Sequence, residues 1–197
     1  MSIKIGIAGP VGSGKTSIIE SLTNMLKETY KVGIVTNDIY TTEDANYLKN
    51  HLDISSDLII GVETGGCPHT AIRDDISMNQ RACEELEAEF NPDIIFVESG
   101  GDNLSATFSY ELVDYYMYVI DVAQGGDIPR KKGAGLLFSD LLIINKTDLA
   151  PYVNVDLDLM KSDVKETRNN KPYLFVSNNN PENINQLKEW ILALCET

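Results

Sequence analysis

Seven short apolar runs punctuate the chain, and the stretches between several of them carry hydrophobic residues at helical spacing. "IKIGIAG" (3–9) runs into a glycine loop. "KVGIVTND" (31–38), "DLIIGVE" (57–63), "DIIFVES" (93–99), "YYMYVIDVA" (115–123), "DLLIINKTD" (140–148) and "PYLFVS" (172–177) follow. Near-continuous apolarity of this kind marks strands covered on both faces, as in a parallel sheet. After the first run, Ile18, Ile19, Leu22, Met25 and Leu26 fall on one helical face. "TEDANYLKN" follows a capping signal at Thr42, and "AIRDDISMNQRACEELEAEF" (71–90) reads as one long amphipathic helix. Residues 156–168 and "NINQLKEWILALCE" read as two more. Positions 123–139, rich in Gly and Lys, read as the one long loop. Strands alternating with helices predict an α/β architecture in three layers, with a mostly parallel central sheet flanked by helices. Ligands in such folds gather at the carboxyl ends of the strands, where the polar tails of these runs lie.

The length of 197 residues suits one domain spanning 1–197. A formal charge of −14, from 16 basic and 30 acidic residues, argues against a surface that binds nucleic acid or anionic membrane. No run approaches the roughly 20 apolar residues of a membrane span, and the N-terminus lacks a signal-peptide pattern. Three scattered cysteines, Cys67, Cys83 and Cys195, do not make a disulfide framework. A reduced, cytoplasmic protein is expected.

"GPVGSGKT" (Gly9–Thr16) fits G-x-x-x-x-G-K-[ST] between an apolar strand and an amphipathic helix, the context that motif needs. The fold class narrows accordingly to a P-loop NTPase. Backbone N–H groups of Gly9, Pro10–Gly14 (Pro10 itself lacking one), Lys15, Thr16 and Ser17 can wrap phosphate oxygens at a helix N-terminus. The residues between the glycines are Val11, Gly12 and Ser13. Lys15 reaches the outer phosphates, and Thr16 offers a hydroxyl to Mg²⁺. "NKTD" at the end of a late strand favours GTP over ATP. Asp148 can accept from guanine N1–H and its 2-amino group, a donor pair adenine lacks. Asn145 would brace the loops and Lys146 would pack over the base. Asp38 and Glu98 end two strands in acids, and with Lys15 and Thr16 they are the candidate catalytic groups. Asp38, Thr16 and Glu43 are the candidate Mg²⁺ residues, and Gly101 beside Gly100 is placed to sense the outermost phosphate. No residue stands out as a strong general base, so slow intrinsic hydrolysis is expected.

"GVETGGCPHTAIRDD" (61–75) holds Cys67 and His69. Proline biases the residue before it toward extended backbone, which can turn both side chains to one side. A thiolate and an imidazole suit Zn²⁺, Ni²⁺ or Cu²⁺. Two ligands do not complete a site, and Cys83, Cys195 and His51 have no motif spacing to this loop. Either the pair is a buried cysteine beside a surface histidine, or a two-fold dimer brings two of each together. Gly65-Gly66 would supply the slack for the ligands to follow nucleotide state.

"GPVGSGKT", "VTNDIYTTEDA", "GVETGGCPHTAIRDD", "ESGGDNLSATFS", "IDVAQGGDIPRKKG" and "LLIINKTDLAPYV" stand here in the order, and nearly the wording, of the UreG family, GTPases that help insert nickel into urease. The chain resembles that family from about residue 3 to 153, and more loosely beyond. The resemblance implies a SIMIBI-class GTPase that dimerises on binding GTP and Mg²⁺. It implies one Ni²⁺, or Zn²⁺, bound by Cys67 and His69 of two subunits, and Asp38 and Glu43 engaged with Mg²⁺ and switching. The implied partners are other urease accessory proteins, among them a nickel donor and a delivery complex, and apo-urease. Pro10 stands where several SIMIBI proteins carry a second lysine, a feature this family shares. "VSNNNPENI" is richer in asparagine than the family pattern, so Ser177 and Asn178 are assigned no base contact. A small-molecule kinase is the first alternative, opposed by NKxD and by the mere four arginines, Arg73, Arg81, Arg130 and Arg168. A metal buffer whose nucleotide only sets its oligomeric state is the second.

Overall fold

A computed structural model describes residues 2–38, 42–66, 68–101, 104–177 and 180–196. All seven apolar runs become strands: β1 (Ile3–Ala8), β2 (Val32–Asp38), β3 (Ile59–Glu63), β4 (Ile94–Glu98), β5 (Tyr115–Asp121), β6 (Leu141–Asn145) and β7 (Tyr173–Phe175). They form one sheet in the order β3-β2-β4-β1-β5-β6-β7, with every neighbouring pair parallel. The connections therefore reverse direction across the sheet at β1, which lies between β4 and β5. That reversal opens a crevice beyond the carboxyl end of β1.

Among the described residues, seven α-helices cover the sheet: α1 (Lys15–Leu26), α2 (Glu43–His51), α3 (Pro68–Arg73), α4 (Ser77–Phe90), α5 (Ala134–Phe138), α6 (Leu157–Arg168) and α7 (Pro181–Cys195). Pleating sends alternate strand residues to opposite faces, and two apolar clusters result. Ile5, Ile7, Ile34 and Phe96 pack with Ile18, Leu22, Leu187 and Ile191 from α1 and α7. Val35, Val97, Tyr118 and Ile144 pack with Ile72, Leu86, Leu136 and Val164 on the other face.

Three local expectations need correction. The single helix over 71–90 is two. The N–H groups of Asp74 and Asp75 both end on Thr70 O, at 2.9 and 2.8 Å, and close α3. Asp75 then accepts from Ser77 Oγ at 2.7 Å, so the chain turns before α4 begins. The first of these helices also begins earlier than residue 71, at Pro68, where a residue without an N–H fits the first turn. The loop at 123–139 is not structureless, since it carries 3-10 turns at Val122–Gln124 and Ile128–Lys131 and the short helix α5. Finally, Thr42 precedes α2 as expected but makes no side-chain cap bond.

Candidate functional site

The chain leaves β1 through Gly9, Gly12 and Gly14, all at positive φ (148°, 78° and 97°), a path that side chains strain to follow. Gly14 has a second constraint, because a Cβ there would strike the Asn145 amide. The resulting loop delivers Lys15 and Thr16 into the first turn of α1. Lys15 is 7% exposed, and its Nζ donates to the carbonyls of Gly9 (3.0 Å) and Pro10 (3.2 Å), so the ammonium sits inside the loop's own ring.

Beyond the loop lies a cavity of about 420 Å³. Its walls are the loop and helix start (Val11, Gly12, Gly14, Lys15, Thr16, Ser17), the carboxylates Asp38, Asp44 and Glu98, the Gly100-Gly101 turn, and Lys146. Gly101 packs directly on Val11, and a side chain at 101 would collide with the Val11 backbone N at 2.9 Å. Most of the phosphate residues expected from the sequence (Val11, Gly12, Gly14, Lys15, Thr16 and Ser17, though not Gly9, Pro10 or Ser13) and the acids Asp38 and Glu98 therefore share one chamber.

Thr16 Oγ1 lies 2.8 Å from Glu98 Oε1 and 3.3 Å from Asp44 Oδ1. Glu43, predicted as the second Mg²⁺ carboxylate, is exposed at the start of α2 and is not part of the cavity wall. Asp44, one residue on and about 100° further round the helix, faces Thr16 instead. Asp44 is thus a site residue that sequence reasoning passed over, although "TTEDA" offered two adjacent acids. Asp38 ends β2 in the cavity wall, and its backbone carbonyl accepts from Thr64 N at 2.9 Å and Thr64 Oγ1 at 3.2 Å. That pair of bonds ties the end of β2 to the loop approaching Cys67.

Glu98 is 1% exposed, and its Oε2 has no hydrogen-bond partner among the described residues. Its carboxyl is pushed up to about 7, chiefly by burial; the Lys15 ammonium and the Thr16 hydroxyl pull against that rise, and the nearby Asp44 and Asp38 add to it. A buried carboxylate oxygen without a donor, beside a threonine hydroxyl and two further acids, fits a Mg²⁺ ion or its bound water. Among the described residues, no three His, Cys, Asp or Glu side chains come close enough to hold a metal by themselves. Mg²⁺ needs only one or two carboxylates when phosphates and water complete its shell. These residues fit that mode of binding.

The raised Glu98 carboxyl carries a stability signature. With a folded value near 7 against an ordinary 4.5, the group favours the fold in acid. That contribution is lost as pH rises from about 4.5 through 7. At 1.36 kcal/mol per unit the loss is about 3 kcal/mol. Glu98→Gln is expected to remove this slope from the ligand-free protein. Chemical denaturation of both proteins between pH 5 and 8 checks it, and parallel pH profiles would contradict it.

On the base side, Asn145 is 1% exposed at the end of β6. Its Nδ2 donates to Ser13 O at 3.0 Å and its Oδ1 accepts from Lys146 N at 2.8 Å, which braces the base loop against the phosphate loop. Lys146 takes left-handed backbone (φ 56°), and its Nζ donates to Gly12 O and pairs with Asp121 Oδ2 at 3.4 Å. Asp148 is exposed outside the cavity wall, and its Oδ1 accepts from Ser177 Oγ at 2.7 Å. Ser177 thus holds the Asp148 carboxylate, while Asn178 lies outside the described residues. Nothing in "VSNNN" singled Ser177 out.

Of the Cys-Pro-His pair, Cys67 lies outside the described residues, and His69 is half-buried in the first turn of α3. Gly65 just before it is left-handed (φ 62°), with no atom within 4 Å of where a Cβ would stand.

Residues 3–175 match the family model described as the CobW/HypB/UreG nucleotide-binding domain. A urease accessory protein UreG of Aliarcobacter butzleri is 77% identical, over 98% of this chain and 100% of its own. Another, from Lysinibacillus sphaericus, is 60% identical over 96% of this chain and 91% of its own. The crystal structure of HypB from Helicobacter pylori in complex with nickel superposes with a TM-score of 0.81 at 23% identity, covering 99% of this chain and 87% of that one. The last likeness is one of fold. Sequence, glycine loop and sheet order agree on one assignment: the chain belongs to the urease accessory protein UreG family, within the CobW/HypB/UreG nucleotide-binding domains.

Proposed function

We propose that the protein is a GTP-hydrolysing metallochaperone, which binds nickel between two GTP-loaded copies and helps deliver it to apo-urease. The observation that carries the nucleotide half is the shared chamber of Lys15, Thr16, Asp38 and Glu98 at the end of β1. Lys15 and the loop N–H groups would bind the β- and γ-phosphates, with Gly101 against the outermost one. Thr16, Asp38 and Asp44 would hold Mg²⁺, with Glu98 orienting its water. Mg²⁺ would neutralise charge on the phosphate oxygens as the terminal P–O bond breaks. The α/β core on both faces of one sheet supports reading 1–197 as a single GTPase domain.

The metal half rests on Cys67 and His69, whose two ligands per chain call for a partner, and on kinship with urease accessory proteins. Nickel here is cargo. The supply protein, the delivery complex and apo-urease belong to this proposal as partners, and the cytoplasm as its place.

Guanine preference rests on Asp148, held by Ser177. Asp148→Asn exchanges an acceptor for a donor opposite the guanine N1–H. It is expected to weaken GDP and GTP binding about tenfold to hundredfold while ADP binding stays weak. Calorimetry with both nucleotides checks this. The reaction class is tested by phosphate release from GTP and ATP with Mg²⁺ and no acceptor. Release from GTP supports a hydrolase. Consumption of GTP only when an acceptor metabolite is added would make it a kinase.

A further inference from the structure

Asp121 ends β5 as a buried carboxylate, 3% exposed, and nothing in the nucleotide motifs accounts for it. One oxygen is committed to the backbone, since Oδ1 accepts from Ala123 N at 2.7 Å and closes the turn that follows the strand. The opposing Gln124 side chain accepts from Asp121 N at 3.2 Å, so the carboxylate is locked at its base. The other oxygen, Oδ2, meets Lys146 Nζ at 3.4 Å. The same ammonium donates to Gly12 O of the phosphate loop.

The Lys146 side chain is thus anchored by its tip at two points belonging to different strands' ends, β5 and β1. Its backbone is fixed too, by the Asn145 Oδ1 bond to its N–H and by left-handed φ. A lysine on the surface normally samples many rotamers, and ordering it on ligand binding costs affinity. Here the stem is held at its tip beside the glycine loop after β1, and about a third of the side chain faces solvent. A stiff apolar stem with its charge tied back is a stacking plate for a purine ring.

We propose that Asp121 is a positioning residue for base binding. It pre-orders Lys146, so that part of the guanine affinity comes from a carboxylate that never touches the nucleotide. This rests on the GTP reading above. It separates base affinity, carried by Asp121 and Lys146, from base discrimination, carried by Asp148.

The test is a double-mutant cycle with Asp121→Asn and Lys146→Met, read with GDP and with tripolyphosphate, which occupies the phosphate loop but has no base. Asparagine keeps an oxygen for Ala123 N–H, and methionine keeps most of the stem. The expected result for Asp121→Asn is a GDP Kd raised about tenfold, as for removing one partner of a close, partly buried charge pair, with tripolyphosphate affinity within about twofold of wild type. The double variant should bind GDP no more weakly than Lys146→Met alone. Equal losses for both ligands would show that Asp121 only supports the phosphate loop. Unchanged GDP binding, or additive losses, would equally overturn the proposal. Wild-type titrations with ADP judge the parent reading separately. If no guanine preference appears, that reading fails, and the cycle is run with whichever nucleotide binds.

Discussion

Lys15→Ala is expected to lower the rate of GTP turnover by about 10²–10³-fold, the scale of losing one preorganised charged donor from a reaction site. Lys15 Nζ is seated inside the phosphate loop, bonded there to two loop carbonyls, and the residue is 7% exposed. Lys146, the other lysine in the cavity wall among the described residues, is tied to Gly12 and Asp121 and so is not free to replace it. The loop's path is set by its glycines and by Asn145, so truncating Lys15 leaves the fold in place. The loss of two modest hydrogen bonds should cost stability only about 1–3 kcal/mol. Single-turnover phosphate release, alongside a denaturation curve, separates the two effects. A variant that is folded and hydrolyses GTP at the wild-type rate would remove Lys15 from the mechanism.

Cys67→Ala is the second large change. Each chain offers one thiolate and one imidazole, so an S₂N₂ site loses both of its sulfur ligands when every chain carries the substitution. Two imidazoles alone make a poor nickel site, and the affinity of GTP-loaded protein for nickel is expected to fall at least a hundredfold. GDP binding, which uses the phosphate loop between β1 and α1 and the base loop after β6, should stay within about twofold. Nickel titration by calorimetry, with a competing chelator, reads both.

Much of the fold was legible because strands buried on both faces leave continuous apolar runs, and all seven runs became strands. Lys15, Thr16 and Asn145 were legible because their spacing is dictated by what phosphates and a base require. What stayed hidden turned on orientation. Glu43 and Asp44 are adjacent acids, and only the docking of α2 against α1 decides which one faces Thr16. The break at Asp74–Ile76 arises from a local Asp75–Ser77 bond, which helical periodicity does not register. Asp121 looks like any acid ending a strand until Lys146 arrives from β6, 25 residues later. Ser177 had no motif and gains its role only because β7 lies beside β6.

The slope in stability at Glu98 and the tie between Asp38 and Thr64 point to one physical theme. The two strands that present carboxylates to the cavity, β2 and β4, are neighbours in the sheet, and β3, paired to β2, leads toward Cys67 in the sequence. A ligand that pulls on Asp38 therefore acts within a few residues of the proposed nickel ligand. Coupling between the sites is then a matter of short, hydrogen-bonded chain.

The most direct measurement is multi-angle light scattering with metal analysis on the same chromatographic peak, comparing GTP- and GDP-loaded protein with Mg²⁺ and nickel. The expected result is a dimer carrying one nickel per two chains with GTP, and a monomer without stoichiometric nickel with GDP. A monomer carrying one nickel per chain with either nucleotide, or a dimer whose nickel content survives Cys67→Ala, would contradict the shared site.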